Sequence, residues 1–376
     1  MTLTIAIRNL LHDRVRLAVT LTGVVFAVVL IAVQLGLFVG FTRATSCVID
    51  NTDADIWIAA KGVRNFDVSS PMRERKLYQV LSVPGVARAE KCIVQFSNWK
   101  KPGGGLESIE IVGYDLASGL GGPWRLVEGR LDLLSQADTV VADRFYFSKL
   151  GIQELGQEVE IRDRRARVVA VTDGIRSFTT SPYIFTSFSN ALRYTSLESD
   201  QMSYILVRAA AGVSAETLRS AIAAHVDAVD VFTKEQFSLM TQWYWMFTTG
   251  AGLALLIAAL LGLVVGMVVV AQTLYATTMD HIAEFGTLRA MGAPNSYIYR
   301  IIIDQALISA VIGYSLGICV SLFIVRYSEK GGASILLPWQ IAASLFVLTV
   351  AMCVCAALIS INKVMRIDPA MVFKGR

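Results

Sequence analysis

The sequence has little charge for its length: 17% of its 376 residues are Asp, Glu, Lys or Arg, whereas 54% are hydrophobic. A soluble domain usually carries about 25% charged residues. The shortage argues against a single soluble globule and against a cytosolic enzyme. Histidine and cysteine are also scarce, with three and five copies, and they show no metal-ligand spacing.

A phosphate-binding loop is also missing, because no stretch fits the pattern G-x-x-x-x-G-K-[ST]. The three glycines 103–105 lie in a predicted hairpin segment beside Lys100 and Lys101, where a flexible turn is favoured over an anion site. An enzyme is therefore the weakest interpretation. We predict no catalytic, cofactor-binding or metal-binding residue.

Charged residues are absent from four long runs, each able to hold a membrane-spanning helix of about 20 apolar residues. These runs are 17–42, 236–279, 305–325 and 331–362. They predict spans at 17–42 (TM1), 246–275 (TM2), 300–326 (TM3) and 338–362 (TM4). The first run is longer than the apolar part of a signal peptide, about 7 to 15 residues, so we predict an uncleaved anchor. Residues 1–16 predict an amphipathic helix at the inner membrane surface, with an ordinary extension of the first span as the alternative.

The charges that do occur orient the chain. The N-terminal tail, the 276–300 loop and the 363–376 tail together hold nine basic and four acidic residues, a net of +5, which leaves 25 − 26 = −1 elsewhere. Basic residues beside short loops face the cytoplasm. Both termini and the 276–298 coupling loop are therefore predicted inside, and residues 43–240 outside. Trp243-Tyr244-Trp245 and Trp339 are expected at headgroup depth at the outer interface.

The long insert between the first two spans reads as a mixed α/β domain. Predicted strands are 54–60, 87–98, 108–113, 139–142, 158–162, 167–172, 203–208 and 229–232, and predicted helices are 72–81, 143–150 and 214–225. A β-rich subdomain is expected at about 118–190. The predicted fold class is a membrane α-helical protein with four transmembrane helices and a large α+β extracytoplasmic domain between helices 1 and 2.

Small residues and cysteines leave alternatives open. The pairs Gly36/Gly40, Gly262/Gly266 and Gly313/Gly317 predict close helix packing, within the chain or between two copies. Cys47 and Cys92 share the insert, where a disulfide between them is one alternative and two free thiols are the other.

The segment that most resembles a functional element is DHIAEFGTLRAMGAPNSYI, residues 280–298. It predicts a short helix with Glu284 and Arg289 exposed and with Phe285 and Leu288 apolar, followed by a stop at Gly292. Such a helix between two long spans can dock into a groove on a cytoplasmic partner. The alternative is a helix that lies on the inner leaflet.

Three motifs carry a family resemblance. Residues 284–293 (EFGTLRAMGA) resemble the E-[IF]-G-x-L-R-A-[ML]-G-A motif that follows the second span in MacB/FtsX-family ABC transporter permeases. The start at 6–28 and the tail at 367–373 (IDPAMVF) are similar to the ends of that family. Residues 54–67 look most like the stand-alone, DevC-like permeases of cyanobacterial glycolipid exporters. A departure is Ala283, where many relatives have a basic residue, and Asp280 and His281 make this loop less basic still.

The resemblance implies a non-catalytic, multi-pass permease subunit of the bacterial inner membrane that works as a homodimer. A separate ATPase chain would hold ATP and magnesium, and no cofactor is expected on this chain. The resemblance places an ATPase-coupling element at a set of residues in the cytoplasmic loop: Glu284, Phe285, Gly286, Leu288, Arg289 and Gly292.

The same resemblance implies a tripartite-type exporter that moves a lipid-like or small hydrophobic substrate by mechanotransmission to its periplasmic domain. Expected partners are a periplasmic adaptor (membrane fusion) protein, an outer-membrane channel and membrane lipid, and no nucleic acid. Two alternatives stay open. One is a lipoprotein-extracting permease, and the other is a non-transporting signalling protein that regulates periplasmic cell-wall hydrolases.

Overall fold

The computed structural model describes residues 2–331 and 335–365. The chain divides into two compact units. We call residues 41–251 the sheet domain, and the described parts of residues 1–40 and 252–376 the helical unit. The tail motif at 367–373 lies outside the described residues.

Among the described residues, four helices are long and apolar enough to cross a membrane, which confirms the predicted class. They are α2 (Arg14–Thr45), α9 (Ala251–Asp280), α11 (Asn295–Gly331) and α12 (Trp339–Met365), and two shorter helices, α1 (Thr2–His12) and α10 (Ile282–Ala290), accompany them. Helix α1 buries Ala6 and Leu10 and leaves Leu3, Ile7 and Leu11 exposed. Its apolar residues are thus divided between the helical unit and the outer surface of α1.

Glycines let the membrane helices approach each other closely within the chain. A Cβ atom built on Gly266 of α9 would lie 2.5 Å from the Cβ of Ala27 on α2, and one built on Gly313 of α11 would lie 2.5 Å from Cγ1 of Val24. Such separations are too short for real carbon atoms, so a side chain at either position would push α2 away from its neighbour. The glycine pairs of α9 and α11 therefore serve contacts inside one copy.

The sheet domain is built on a ten-stranded mixed sheet and a separate pair of short strands. The order of the large sheet is β12-β1-β11-β3-β4-β9-β6-β8-β5, with β7 pairing with β3 and β8, while β10 pairs with β2. The strands are β1 (Ile56–Ala60), β2 (Met72–Arg73), β3 (Val86–Lys100), β4 (Leu106–Tyr114), β5 (Leu126–Gly129), β6 (Thr139–Asp143), β7 (Glu158–Ile161), β8 (Arg164–Thr172), β9 (Tyr183–Ser187), β10 (Gln201–Met202), β11 (Tyr204–Ala209) and β12 (Val229–Thr233). Strand β3 pairs with β11, β4 and β7. Strand β3 therefore connects β12, β1 and β11 with strands of residues 118–190. The expected subdomain shares one continuous sheet with the rest of the domain.

Helices cover both faces of this sheet. Along β1, Ile56 and Ile58 join one core cluster while Trp57 and Ala59 join the other, as the alternation of strand side chains requires. The helices are α3 (Cys47–Asn51), α4 (Arg75–Leu81), α5 (Phe147–Leu150), α6 (Phe188–Tyr194), α7 (Ala215–His225) and α8 (Lys234–Trp243). Helices α4 and α7 pack on the first cluster, and α3 and α8 on the second. The α+β class of the insert is confirmed.

Some local predictions differ from the structure. Residues 72–81 were expected to be one helix, but Met72 and Arg73 pair with β10 and α4 begins only at Arg75, because the backbone N–H of Glu74 donates to the carbonyl of Asp200 at 2.7 Å. Strand β9 has no counterpart in the prediction. All five of its residues are buried, so its sequence lacks the polar alternation that marks a strand covered on one face.

The two cysteines of the insert are free thiols. The thiol of Cys47 donates to the carbonyl of Arg176 at 3.4 Å. Cys92 lies buried in β3, where its thiol donates to the carbonyl of Ile93 at 3.8 Å. Burial raises the pKa of both thiols, that of Cys92 to about 12. The disulfide alternative is therefore wrong for this structure.

Candidate coupling site

The segment between α9 and α11 folds as the nine-residue helix α10. Glu284 lies in its first turn, where a negative charge suits the positive end of the helix dipole. The helix ends before Gly292, whose φ of +95° is a conformation that glycine adopts without strain. Pro294 follows and then α11 begins at Asn295. The loop therefore presents one short helix between two long ones.

Five of the six predicted coupling residues lie on α10, and Gly292 follows its C-terminal end. The side chains of Phe285, Leu288 and Arg289 lie outside the described part of the structure. The Glu284 side chain is 66% exposed, and its Oε2 lies 3.1 Å from Nδ1 of His281. The Glu284 side chain is thus accessible to a partner, and its contact with His281 restricts its orientation.

A cluster of charged and titratable side chains joins the beginning of α2 to the end of α9. Arg16 forms an ion pair with Asp280 through its Nη1 and a second with Asp13, from Nε to Oδ2, at 3.1 Å. The rings of His12 and His281 meet edge to face with centroids 6.3 Å apart. We call these five residues the Arg16 cluster.

The Arg16 cluster was not predicted as a site from the sequence. Asp13 and Arg16 stand three residues apart, which is a local signal for a helical ion pair. Asp280 was noted only for reducing the positive charge of the loop, because its partner lies on a helix far away along the chain. The cluster links α10, through the residues just before it, to the first long helix.

Two of the clefts on the sheet domain are similar in size. One, of about 550 Å³, has a lining that includes the charged residues Arg73, Glu74, Lys76 and Asp200. The other, of about 560 Å³, is bordered by Tyr114, Leu116, Pro123 and Leu131 among others. The second is the more apolar of the two, and neither was predicted from the sequence.

Comparisons with known proteins cover nearly the whole chain. Residues 17–225 match the model of the MacB-like periplasmic core domain, and residues 256–369 match that of the FtsX-like permease C-terminal region. One uncharacterized ABC transporter permease of Mycobacterium tuberculosis is 24% identical over 377 residues, covering 96% of each chain. A second from the same organism is 23% identical over 379 residues, covering 98% of this chain and 99% of the relative.

Two solved structures resemble part of the chain. One is the periplasmic region of MacB from Actinobacillus actinomycetemcomitans, with a TM-score of 0.39 and 14% identity, covering 51% of this chain and 94% of that one. The other is the extracellular domain of the ABC-type transporter YknZ from Gram-positive bacteria, with a TM-score of 0.37 and 14% identity, covering 48% and 98%.

Proposed function

The chain belongs to the MacB/FtsX family of ABC transporter permeases, and from this premise we propose that it is the membrane subunit of a tripartite-type exporter. In this proposal it takes up the conformational change of a separate ATPase at α10 and transmits it to its extracytoplasmic domain. The transported substrate is lipid-like or a small hydrophobic compound. The chain itself is a non-catalytic subunit.

The observation that carries the proposal is the continuity of α2. This helix runs unbroken for 32 residues from Arg14 to Thr45, a length of about 48 Å at 1.5 Å per residue. The hydrocarbon core of a bilayer is only about 30 Å thick. One continuous helix therefore starts at the Arg16 cluster and is longer than the membrane needs, which suits the proposed transmission of force.

Membership of an ABC permease family implies an ATPase partner, and the sequence has no phosphate-binding loop of its own. Under the proposal the other partners are a second permease copy, a periplasmic adaptor, an outer-membrane channel and membrane lipid. We further propose that the coupling element consists of Glu284, Phe285, Gly286, Leu288, Arg289 and Gly292.

Charge reversal on α10 tests the proposal. We expect Arg289→Glu to reduce co-purification of the ATPase and to reduce ATP turnover by the membrane complex, because it inverts a charge on the docking helix. Arg326→Glu makes the same charge change on an exposed residue near the other end of α11, and it should leave both unchanged. Wild-type assembly and turnover in Arg289→Glu would contradict the coupling role.

Cross-linking in native membranes followed by mass spectrometry tests the export part separately. We expect an adaptor protein cross-linked to the sheet domain. A lipoprotein as the main product would favour the lipoprotein-extracting alternative instead. A cell-wall hydrolase or its regulator would favour the signalling alternative, and either result would overturn tripartite export while leaving the ATPase coupling intact.

A further inference from the structure

A pair of carboxyl groups lies in the interior of the sheet domain, away from the coupling helix in sequence. Asp67 follows β1 and is 2% exposed, and Glu110 lies in β4 and is completely buried. Neither carboxyl oxygen of Glu110 has a hydrogen-bond partner among the described residues. Two ionised carboxylates are both acceptors, so these groups can hydrogen bond to each other only when one of them holds a proton. Glu110 of β4 is the neighbour of Tyr183 in β9, and the Tyr183 hydroxyl donates to Asp67, which places the two carboxyls near each other.

The other titratable side chains that face the pair come from three elements. Tyr183 of β9 donates its hydroxyl to Oδ1 of Asp67 at 3.3 Å, and Tyr204 of β11 donates to the carbonyl of the residue before Asp67 at 2.7 Å. Cys47 of α3 donates its thiol to the carbonyl of Arg176. Burial is the largest cause that raises the pKa of both Asp67 and Glu110. A proton on a buried carboxyl removes the cost of burying its charge.

The pair is also tied to the segment that leads into α9. The indole N–H of Trp245 donates to Oδ2 of Asp67 at 2.7 Å, and its ring packs on Phe178 with centroids 4.6 Å apart. Trp245 lies in a π-helical turn, Tyr244–Thr248, a geometry often found at functional sites. The sequence predicted Trp243, Tyr244 and Trp245 at headgroup depth. In the structure the indole N–H of Trp245 is hydrogen bonded to Asp67. Trp243, by contrast, is 64% exposed.

We propose that Asp67 and Glu110 form a proton-binding site, and that the number of protons it holds sets the strength of the contact between Asp67 and Trp245. With one proton, Asp67 carries the charge and accepts a charge-assisted hydrogen bond from the indole. With two protons that bond is weaker. With none, repulsion between the two buried carboxylates forces them apart.

The direction of the pH effect follows from the two carboxyls. Burial is the main cause that raises the pKa of Asp67 to about 6, against the hydrogen bonds of Trp245 and Tyr183, which lower it. Burial and then the charge of Asp67 raise the pKa of Glu110 well above its ordinary value. Because the folded domain binds these protons more tightly than the unfolded chain does, the stabilisation is complete below about pH 4 and declines as the pH rises through 6.

Fluorescence of Trp245 in the full-length protein in lipid nanodiscs tests the proposal. The signal is the difference between each protein and the same protein with Trp245→Phe, recorded from pH 4.5 to about pH 9, the span over which raised carboxyl pKa values titrate. We expect a transition near pH 6 in the wild type and its loss in Asp67→Asn, an isosteric side chain that still accepts a hydrogen bond. An unchanged transition in Asp67→Asn would overturn the proposal.

A second variant keeps the test decisive even if Asp67→Asn does not fold. Glu110→Gln imitates the protonated form of Glu110, so it should keep the transition near pH 6 and abolish the further fall of Tm that we expect of the wild type at higher pH. An equal fall of Tm in Glu110→Gln would also overturn the proposal. Glu158→Gln, an exposed carboxyl on β7, is the control and should behave as the wild type in both measurements.

Discussion

At the scale of single residues, the ion pair between Arg16 and Asp280 is the contact that the proposed coupling mechanism tests most directly. Both side chains are partly exposed, at 35% and 56%, and such pairs contribute only about 0 to 1 kcal/mol to stability. Under the proposal the position of the pair matters more than its strength, because it joins the last residue of α9 to the beginning of α2. A pair that is weak for folding can still be essential for coupling.

We expect Asp280→Arg to lower ATP turnover by the complex severalfold while it changes the free energy of unfolding by no more than about 1 kcal/mol. Combining it with Arg16→Asp restores an ion pair of opposite polarity and should recover most of the turnover. Glu158→Arg breaks a more exposed pair with Arg165, 3.0 Å apart, in the sheet domain and should leave turnover unchanged. Failure of the double variant to recover would argue that the charges act separately.

At the scale of elements, the packing of α2 against α9 and α11 depends on the absence of side chains. Gly266 faces Ala27, and Gly313 faces Val24. Lipid tails are as apolar as the helices, so close van der Waals packing, rather than water exclusion, holds these helices together. A bulky residue at such a position acts on the whole helix because it separates two backbones.

Gly266→Leu is expected to destabilise the helical unit by about 1 to 3 kcal/mol through overpacking, measured as a lower Tm in detergent. Ala254→Leu adds a similar side chain on an exposed position of the same helix and should change Tm little. Equal effects of the two variants would show that α2 and α9 do not rely on this contact.

The elements also show what a sequence can predict. The four long helices were predictable because the bilayer demands long uncharged runs, and β1, β3 and β4 because apolar residues and turn signals bound them. Strand β9 was missed because it is buried on both faces. The bond from Trp245 to Asp67 and the pair of Arg16 with Asp280 join residues far apart in the chain. No local pattern encodes such contacts, so the coupling motif was recognisable whereas its connections were not.

At the scale of the whole molecule, charge distribution is the property that orients the chain in the membrane. The surplus of five positive charges on the terminal segments and the 276–300 loop predicts that these segments face the cytoplasm. The proposed docking of an ATPase on α10 requires the same orientation, because ATP is supplied on that side. An inverted orientation of the chain in the membrane would therefore exclude the proposed mechanism.

Labelling of single cysteines in intact cells tests this orientation. In a background where the five native cysteines are replaced by Ser or Ala, we expect Gly103→Cys on the open β3–β4 hairpin to react with a maleimide that cannot cross membranes, because this exposed glycine lies in the sheet domain, which is predicted to be extracytoplasmic. Thr287→Cys on α10, also exposed, should react only after the membrane is permeabilised. The reverse pattern would place α10 outside, where no ATPase has access to ATP, and would rule out the coupling mechanism.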